Sequence, residues 1–148
     1  ILVMQVTSDF TWEELTHSTL ATTHQLDNTP GEVERARLGM LAANVLQPLR
    51  DACGRIRVNC AYRSPAVNRL AGGKADSQHL KGEAADIVPL DVSLEQAMRW
   101  IVANLEVDQV ILEANTWIHV SFTTRRANRR QPLIGVFRNG KPEYRSFV

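Results

Sequence analysis

The stretch His79-Leu80-Lys81-Gly82-Glu83-Ala84-Ala85-Asp86 decides how this chain is read. Gly82 permits a tight backbone turn. After it, Glu83 to Val88 has the pattern of a strand, so Ala84 and Asp86 share one face and Glu83, Ala85 and Ile87 the other. Ala84 leaves room beside Asp86 for an ion and its ligands, and His79, ahead of the turn, can fold back towards that space. A later predicted strand, residues 117–122, carries His119 between Ile118 and Val120. Alternation sends Ile118, Val120 and Phe122 to the core and His119 to the opposite face. Two imidazoles and a carboxylate form a three-ligand set, and zinc sites of that kind keep a fourth position for water. Structural zinc sites are closed and cysteine-rich, and no such cysteine spacing exists here. Zinc lowers the pKa of a bound water to about 7 and polarises a carbonyl, which is the chemistry of amide hydrolysis. A plainer reading stands beside this one: a strand histidine is commonly a satisfied polar group, and an aspartate after a glycine commonly serves a turn.

Working outward, Thr11 with Glu14 has capping-box form and predicts a short helix over 12–17. A long helix is predicted from Thr29-Pro30, with Leu38, Leu41, Val45, Leu49 and Ala52 as its apolar stripe and Gly54 as its stop. Pro48 inside it predicts a kink or break. Residues 55–60 read as a strand with Ile56, Val58 and Cys60 on one face. Ser64-Pro65 starts another short helix, which Gly72-Gly73 ends. Ser93 with Gln96 caps a helix that turns Leu94, Ala97, Ile101 and Val102 inward. Residues 109–113 form a strand joined to 117–122 by Ala114-Asn115-Thr116, and Asn139-Gly140 marks a late hairpin. Helices early and strands late predict an α+β domain with an antiparallel sheet.

With 148 residues, one domain spanning 1–148 is expected, long enough to bury a core without staples. A net charge of only +1 argues against a duplex nucleic-acid binder. The apolar stretches are too short to span a bilayer. No basic segment followed by an apolar run opens the sequence, so no signal peptide is expected in these residues. Cys53 and Cys60 could form a disulfide or be two free thiols, and a chain of this length does not depend on one short-loop bond. His17 and His24 have no carboxylate at ligand spacing and read as surface residues.

At the quoted residues the chain resembles the zinc D-Ala-D-Ala carboxypeptidase and L-alanyl-D-glutamate endopeptidase superfamily, which shares its fold with the hedgehog signalling domain. The resemblance rests on S-x-H-x-x-G-x-A-x-D, here Ser77 to Asp86, and on W-x-H, here Trp117 to His119. Upstream, residues 59–65 are similar to the family's G-Y-R-S-P turn, with Ala61 replacing Gly. The stretches Asp27-Asn28-Thr29-Pro30, Leu46-Gln47-Pro48-Leu49-Arg50 and Asn128-Arg129-Arg130 resemble the phage and prophage subgroup. The likeness runs from about Phe10 to Tyr144.

It implies a small antiparallel sheet carrying the zinc site, flanked by helices, with Zn2+ held by His79, Asp86 and His119. Arg63 matches the arginine that contacts the substrate carbonyl and stabilises its developing charge, and a fixed guanidinium suits that task. Ser77 matches a residue near the substrate, though a loop cap explains it nearly as well. Many relatives place the catalytic carboxylate three residues before the last histidine, where this chain has Thr116. Glu113, six residues before His119, is the expected base, as in hedgehog-like domains and the phage-type subgroup. Trp117, where some relatives have a second histidine, could wall this carboxylate and raise its pKa. Glu83 is a second candidate base that alternation points away from Asp86. The implied function is zinc-dependent hydrolysis of a peptide bond in the peptidoglycan stem peptide, by a monomer acting on the cell wall. The alternative is a non-enzymatic, zinc-stabilised binding or phage tail module of the same fold. Arg125, Arg126, Arg129 and Arg130 read as a solvated basic loop in preference to a contact with anionic wall polymer.

Overall fold

Local sequence signals set most element boundaries. The computed structural model describes residues 4–147; residues 1–3 and 148, the ends of the expected domain, lie outside the described residues. Thr11 and Glu14 form the expected capping box at helix α1 (Trp12–Thr16). Ser18 caps a further short helix, α2 (Thr19–Thr23), that no apolar periodicity had marked. The long helix begins later than Thr29-Pro30: Gly31 is its N-cap and α3 spans Glu32–Leu41. Pro48 does not break it. A π-helical turn at Ala42–Leu46 precedes α4 (Gln47–Cys53), widening the backbone where a proline lacks its N–H and would press on the preceding turn. Beyond that turn Leu49 and Cys53 are buried and Ala52 is exposed, a correction to the expected stripe. Ser64 caps α5 (Pro65–Leu70), and a Ser93–Gln96 capping box starts α6 (Leu94–Asn104). Within α6, Ala97, Met98 and Ile101 are buried, while Val102 faces outward.

Six strands, β1 (Ile56–Cys60), β2 (Ala84–Pro89), β3 (Gln109–Glu113), β4 (Trp117–Ser121), β5 (Gln131–Arg138) and β6 (Lys141–Ser146), form one sheet in the order β1-β2-β4-β3-β5-β6. The α+β class holds, and four of the five pairings are antiparallel as expected. β3 and β5 are parallel. The segment after β4 therefore crosses the start of β3, at Asp108, before β5 begins. Asn139 and Gly140 both adopt positive φ and close the β5–β6 hairpin as expected. Helices cover one face of the sheet: Leu38, Leu41, Val45, Leu46, Leu49, Met98 and Ile101 pack with Ile87, Val110, Leu112, Ile118 and Val120 in one core. The other face is open and carries the polar residues discussed below.

Two backbone features shape that open face. β1 contains a bulge: Val58 pairs with Ile87, but Cys60, not Asn59, pairs with Asp86. Strict alternation had put Cys60 beside Ile56 and Val58; the extra residue turns it to the face of Asp86. Gly82 ends the 3-10 turn Gln78–Lys81 in the left-handed region at φ 74°. A Cβ there would run into the Glu34 carbonyl oxygen in α3. Left-handed strain alone costs about 1–2 kcal/mol, and the backbone clash adds to it. Gly82→Ala is expected to lower unfolding free energy by more than about 2 kcal/mol in denaturant titration. A loss below about 1 kcal/mol would show that α3 simply yields.

Candidate metal centre and active site

Strand pairing assembles the open face in rows. Cys60, Asp86, His119 and Ile111 stand opposite one another across β1, β2, β4 and β3. Glu113 and Trp117 form the next row, two residues along, with Gly135 beside Glu113 and Tyr144 beside Gly135. His79 reaches the first row from the 3-10 turn. Its Nδ1 lies 2.6 Å from the Ala61 carbonyl, so Nδ1 donates and Nε2 is left to face Asp86. Arg63 N–H donates to the His79 carbonyl at 3.1 Å, tying the turn after β1 to the same segment.

His79, Asp86 and His119 each offer a donor atom, and these atoms lie within 4.8 Å of one another. Asp86 Oδ1 is 3.0 Å from His119 Nδ1 and 3.4 Å from His79 Nε2. A tetrahedral ion with arms of 2.0–2.1 Å spaces its donors about 3.3 Å apart, close to both of these separations, so the set suits one metal ion. Burial alone would push His79 down and Asp86 up. Their hydrogen bond, with Cys60 on the histidine side and His119 on the aspartate side, outweighs it: the His79 imidazolium is held up to about 9 and Asp86 falls below the usual carboxylate range.

Arg63 lies beside this group, its Nη2 3.6 Å from Asp86 Oδ2 and its Nε donating to Cys60 Sγ at 3.3 Å. Both cysteines are free thiols. Burial raises the Cys60 pKa, but the His79 hydrogen bond and the Arg63 charge bring it below the ordinary thiol value. Nothing in the spacing of the two cysteines signals this placement, which depends on the bulge. Ser77 caps the 3-10 turn by accepting from His79 N–H, and it also lines the cleft.

Glu113 and Trp117 line the same cleft, of about 640 Å³. Burial and the Asp86 charge raise the Glu113 pKa, against the lowering effects of His119 and of Tyr144, whose Oη donates to Glu113 Oε1 at 3.3 Å. Gly135 makes this contact possible: a Cβ there would meet the Tyr144 ring at 2.7 Å and Glu113 Oε2 at 2.8 Å. Tyr144 was not foreseen, because only a strand pairing far along the chain brings it to Glu113. Thr116 sits in the exposed β3–β4 turn, bonded to the Ala114 carbonyl. His17 and His24 are exposed, as expected.

The reading of the arginines needs correction. Glu83 exposes no surface, and it accepts from Thr123 Oγ1 and from Arg125 Nε and Nη2 at 2.8–2.9 Å. Asp108, equally buried, accepts from Arg126, Arg129 and Gln78. Burial opposes both charges, but the guanidinium bonds prevail, and both carboxylates titrate below their usual range. Breaking a buried pair costs about 3–5 kcal/mol, so Glu83 and Asp108 are structural pins and Glu83 is withdrawn as a base. Only Arg130, paired with exposed Glu106, behaves as a surface cation.

Residues 8–121 match the family model described as Peptidase M15. The chain belongs to the peptidase M15 family. The resemblance to zinc carboxypeptidases and endopeptidases thus holds at superfamily level, and membership points to a metallopeptidase with the His79–Asp86–His119 group as its candidate metal centre. No individually curated protein matches the chain. The M15 match ends at Ser121, so the arginine loop and the β5–β6 hairpin that carries Tyr144 lie beyond the matched residues. No helix among the described residues is long and apolar enough to cross a membrane.

Proposed function

We propose that this M15 chain is a zinc-dependent peptidase, a single domain and a monomer, that hydrolyses a peptide bond in the bacterial peptidoglycan stem. The bond is of the D-Ala-D-Ala or the L-Ala-D-Glu type, and the phage-type motifs favour a wall-lytic role. The observation that carries this reading is the convergence of the His79–Asp86–His119 donors, Glu113 and Arg63 in one cleft. The presence of Glu113 and Arg63 together in that cleft favours the enzyme over the non-enzymatic alternative.

His79, Asp86 and His119 would hold the ion. When bound, zinc supplies an acidified water and an electrophile for the carbonyl oxygen. Glu113 takes a proton from the attacking water and returns it to the leaving amine, a task that suits a carboxylate of raised pKa. Arg63 stabilises the charge that develops on the carbonyl oxygen. Ser77 orients the substrate from the 3-10 turn. Digestion of purified peptidoglycan, with mass spectrometry of the products with and without chelator, tests activity, metal dependence and bond position together. Intact peptidoglycan in both samples would overturn the proposal.

Metal affinity is expected to fall with pH. A ligand histidine must be neutral, and without metal His79 keeps its proton up to about 9. Below that value each unit drop in pH costs about tenfold in apparent zinc affinity for this one proton. Competition with a chelating dye at pH 6, 7 and 8 checks this, and a flat profile would show that His79 is not displaced from its proton on binding.

A further inference from the structure

The loop between β4 and β5 places three arginines along the cleft that also holds Asp86 and His119. Three guanidiniums, of Arg125, Arg126 and Arg129, face two buried carboxylates, of Glu83 and Asp108, leaving one positive charge in excess. Lys74, Asp76 and Lys81 line the same cleft and add one further net positive charge. The guanidiniums are fixed by paired bonds, yet a third or more of each side chain is exposed. Among the described residues, Nη1 of Arg125 and Nη1 of Arg129 donate to no protein acceptor. Pre-oriented, charged donors of this kind suit a carboxylate, and their ordering cost is already met by the buried anchors. The site has a defined position too. Thr123, which opens the loop, lies four residues beyond His119, about 13 Å along an extended chain, while Glu113 and Trp117 lie on the opposite side of His119.

We infer that the Arg125–Arg129 loop is an anion subsite that binds a free carboxylate of the peptide substrate, about two to four extended residues from the bond over the donor group and on the side away from Glu113. The inference rests on the peptidase reading above and names the class of substrate: an acidic peptide, with its negative charge on one side of the scissile bond.

The test uses two synthetic stem peptides that differ only in one internal carboxylate, present as free acid or as primary amide. Binding to the Glu113→Gln protein is measured by calorimetry, and KM and kcat are measured on the unmodified protein. The acid is expected to bind about tenfold or more tightly than the amide, with the difference in KM and little in kcat. Arg129→Gln is expected to shrink that gap to about threefold or less. Asp108 keeps Arg126 and Gln78 in this variant, so the fold is expected to survive the loss; Arg126→Gln is the second variant should Arg129→Gln prove unstable. Arg125 is left intact, because among the described residues it is the only cation bonded to Glu83. Equal KM for acid and amide, with both cleaved, would overturn the subsite and leave the peptidase reading standing. A preference for the acid that depends on Arg129, with cleavage of neither, would support the subsite and overturn the peptidase reading. A preference that survives both variants would place the anion elsewhere and overturn the inference.

Discussion

Replacing Glu113 with glutamine is expected to lower hydrolysis by roughly 10²-fold or more while zinc content stays unchanged. The substitution keeps the shape of the side chain and an oxygen that can still accept from Tyr144 Oη. It removes only the group able to take a proton. Glu113 stands one row from His119, about 7 Å along the strands, which leaves space for a water and a carbonyl between base and metal centre. Among the described residues, the other carboxylates lining the cleft are Asp86, which belongs to the donor group, and Asp76, on the loop ahead of Ser77. Glu83 is buried against Arg125, and Thr116 occupies the position three residues before His119. Near-normal hydrolysis by the variant would therefore point to Asp76 or to a mechanism without a protein base, and loss of zinc would show that Glu113 supports the metal centre instead.

Arg63→Ala is expected to lower turnover by about 10²–10³ with little change in melting temperature and with zinc retained. The guanidinium lies on Asp86 at 3.6 Å, and its side chain is 18% exposed, buried enough to be fixed and open enough to meet substrate. That contact also allows a purely structural role, holding Asp86 in place. The two roles separate in the assay. A normal rate with a much lower melting temperature would make Arg63 structural, and zinc loss would make it a support for Asp86. Arg63→Lys should recover little, since a point charge lacks the planar fork that could serve Asp86 and a carbonyl oxygen at once.

The parts of this molecule readable from sequence are those decided by short-range rules. The capping boxes at Thr11 and Ser93, the turn at Gly82 and the alternation through β2 and β4 each depend on a few neighbouring residues. From them the shared face of Asp86 and His119 follows directly. What escaped depends on pairings between distant segments. The parallel placement of β5 is chosen by the exposed edge of β3, and it alone brings Tyr144 to Glu113. The arginines looked solvated because their partners, Glu83 and Asp108, are distant in sequence and hidden in the fold. The π-helical turn reflects Pro48, which was noticed, but a widened turn and a break have the same sequence signal.

The bulge in β1 makes strand register, as distinct from side-chain identity, a requirement of the site. Asn59, exposed and accepting from Arg57 Nε, is the extra residue between Val58 and Cys60. Were the ladder to run unbroken through all these residues, Asn59 would stand opposite Asp86, and Ala61 and Arg63 would lie one residue, about 3.3 Å, further along β2. The Ala61 carbonyl would leave His79, the guanidinium would leave Asp86, and Cys60 would turn to the helix-covered face. Deleting Asn59 closes the bulge and leaves Cys60 opposite Asp86, so the site should tolerate that deletion better than an insertion between Cys60 and Arg63. Insertions belong at the exposed tip of the β5–β6 hairpin, where Asn139 and Gly140 touch neither ladder nor cleft.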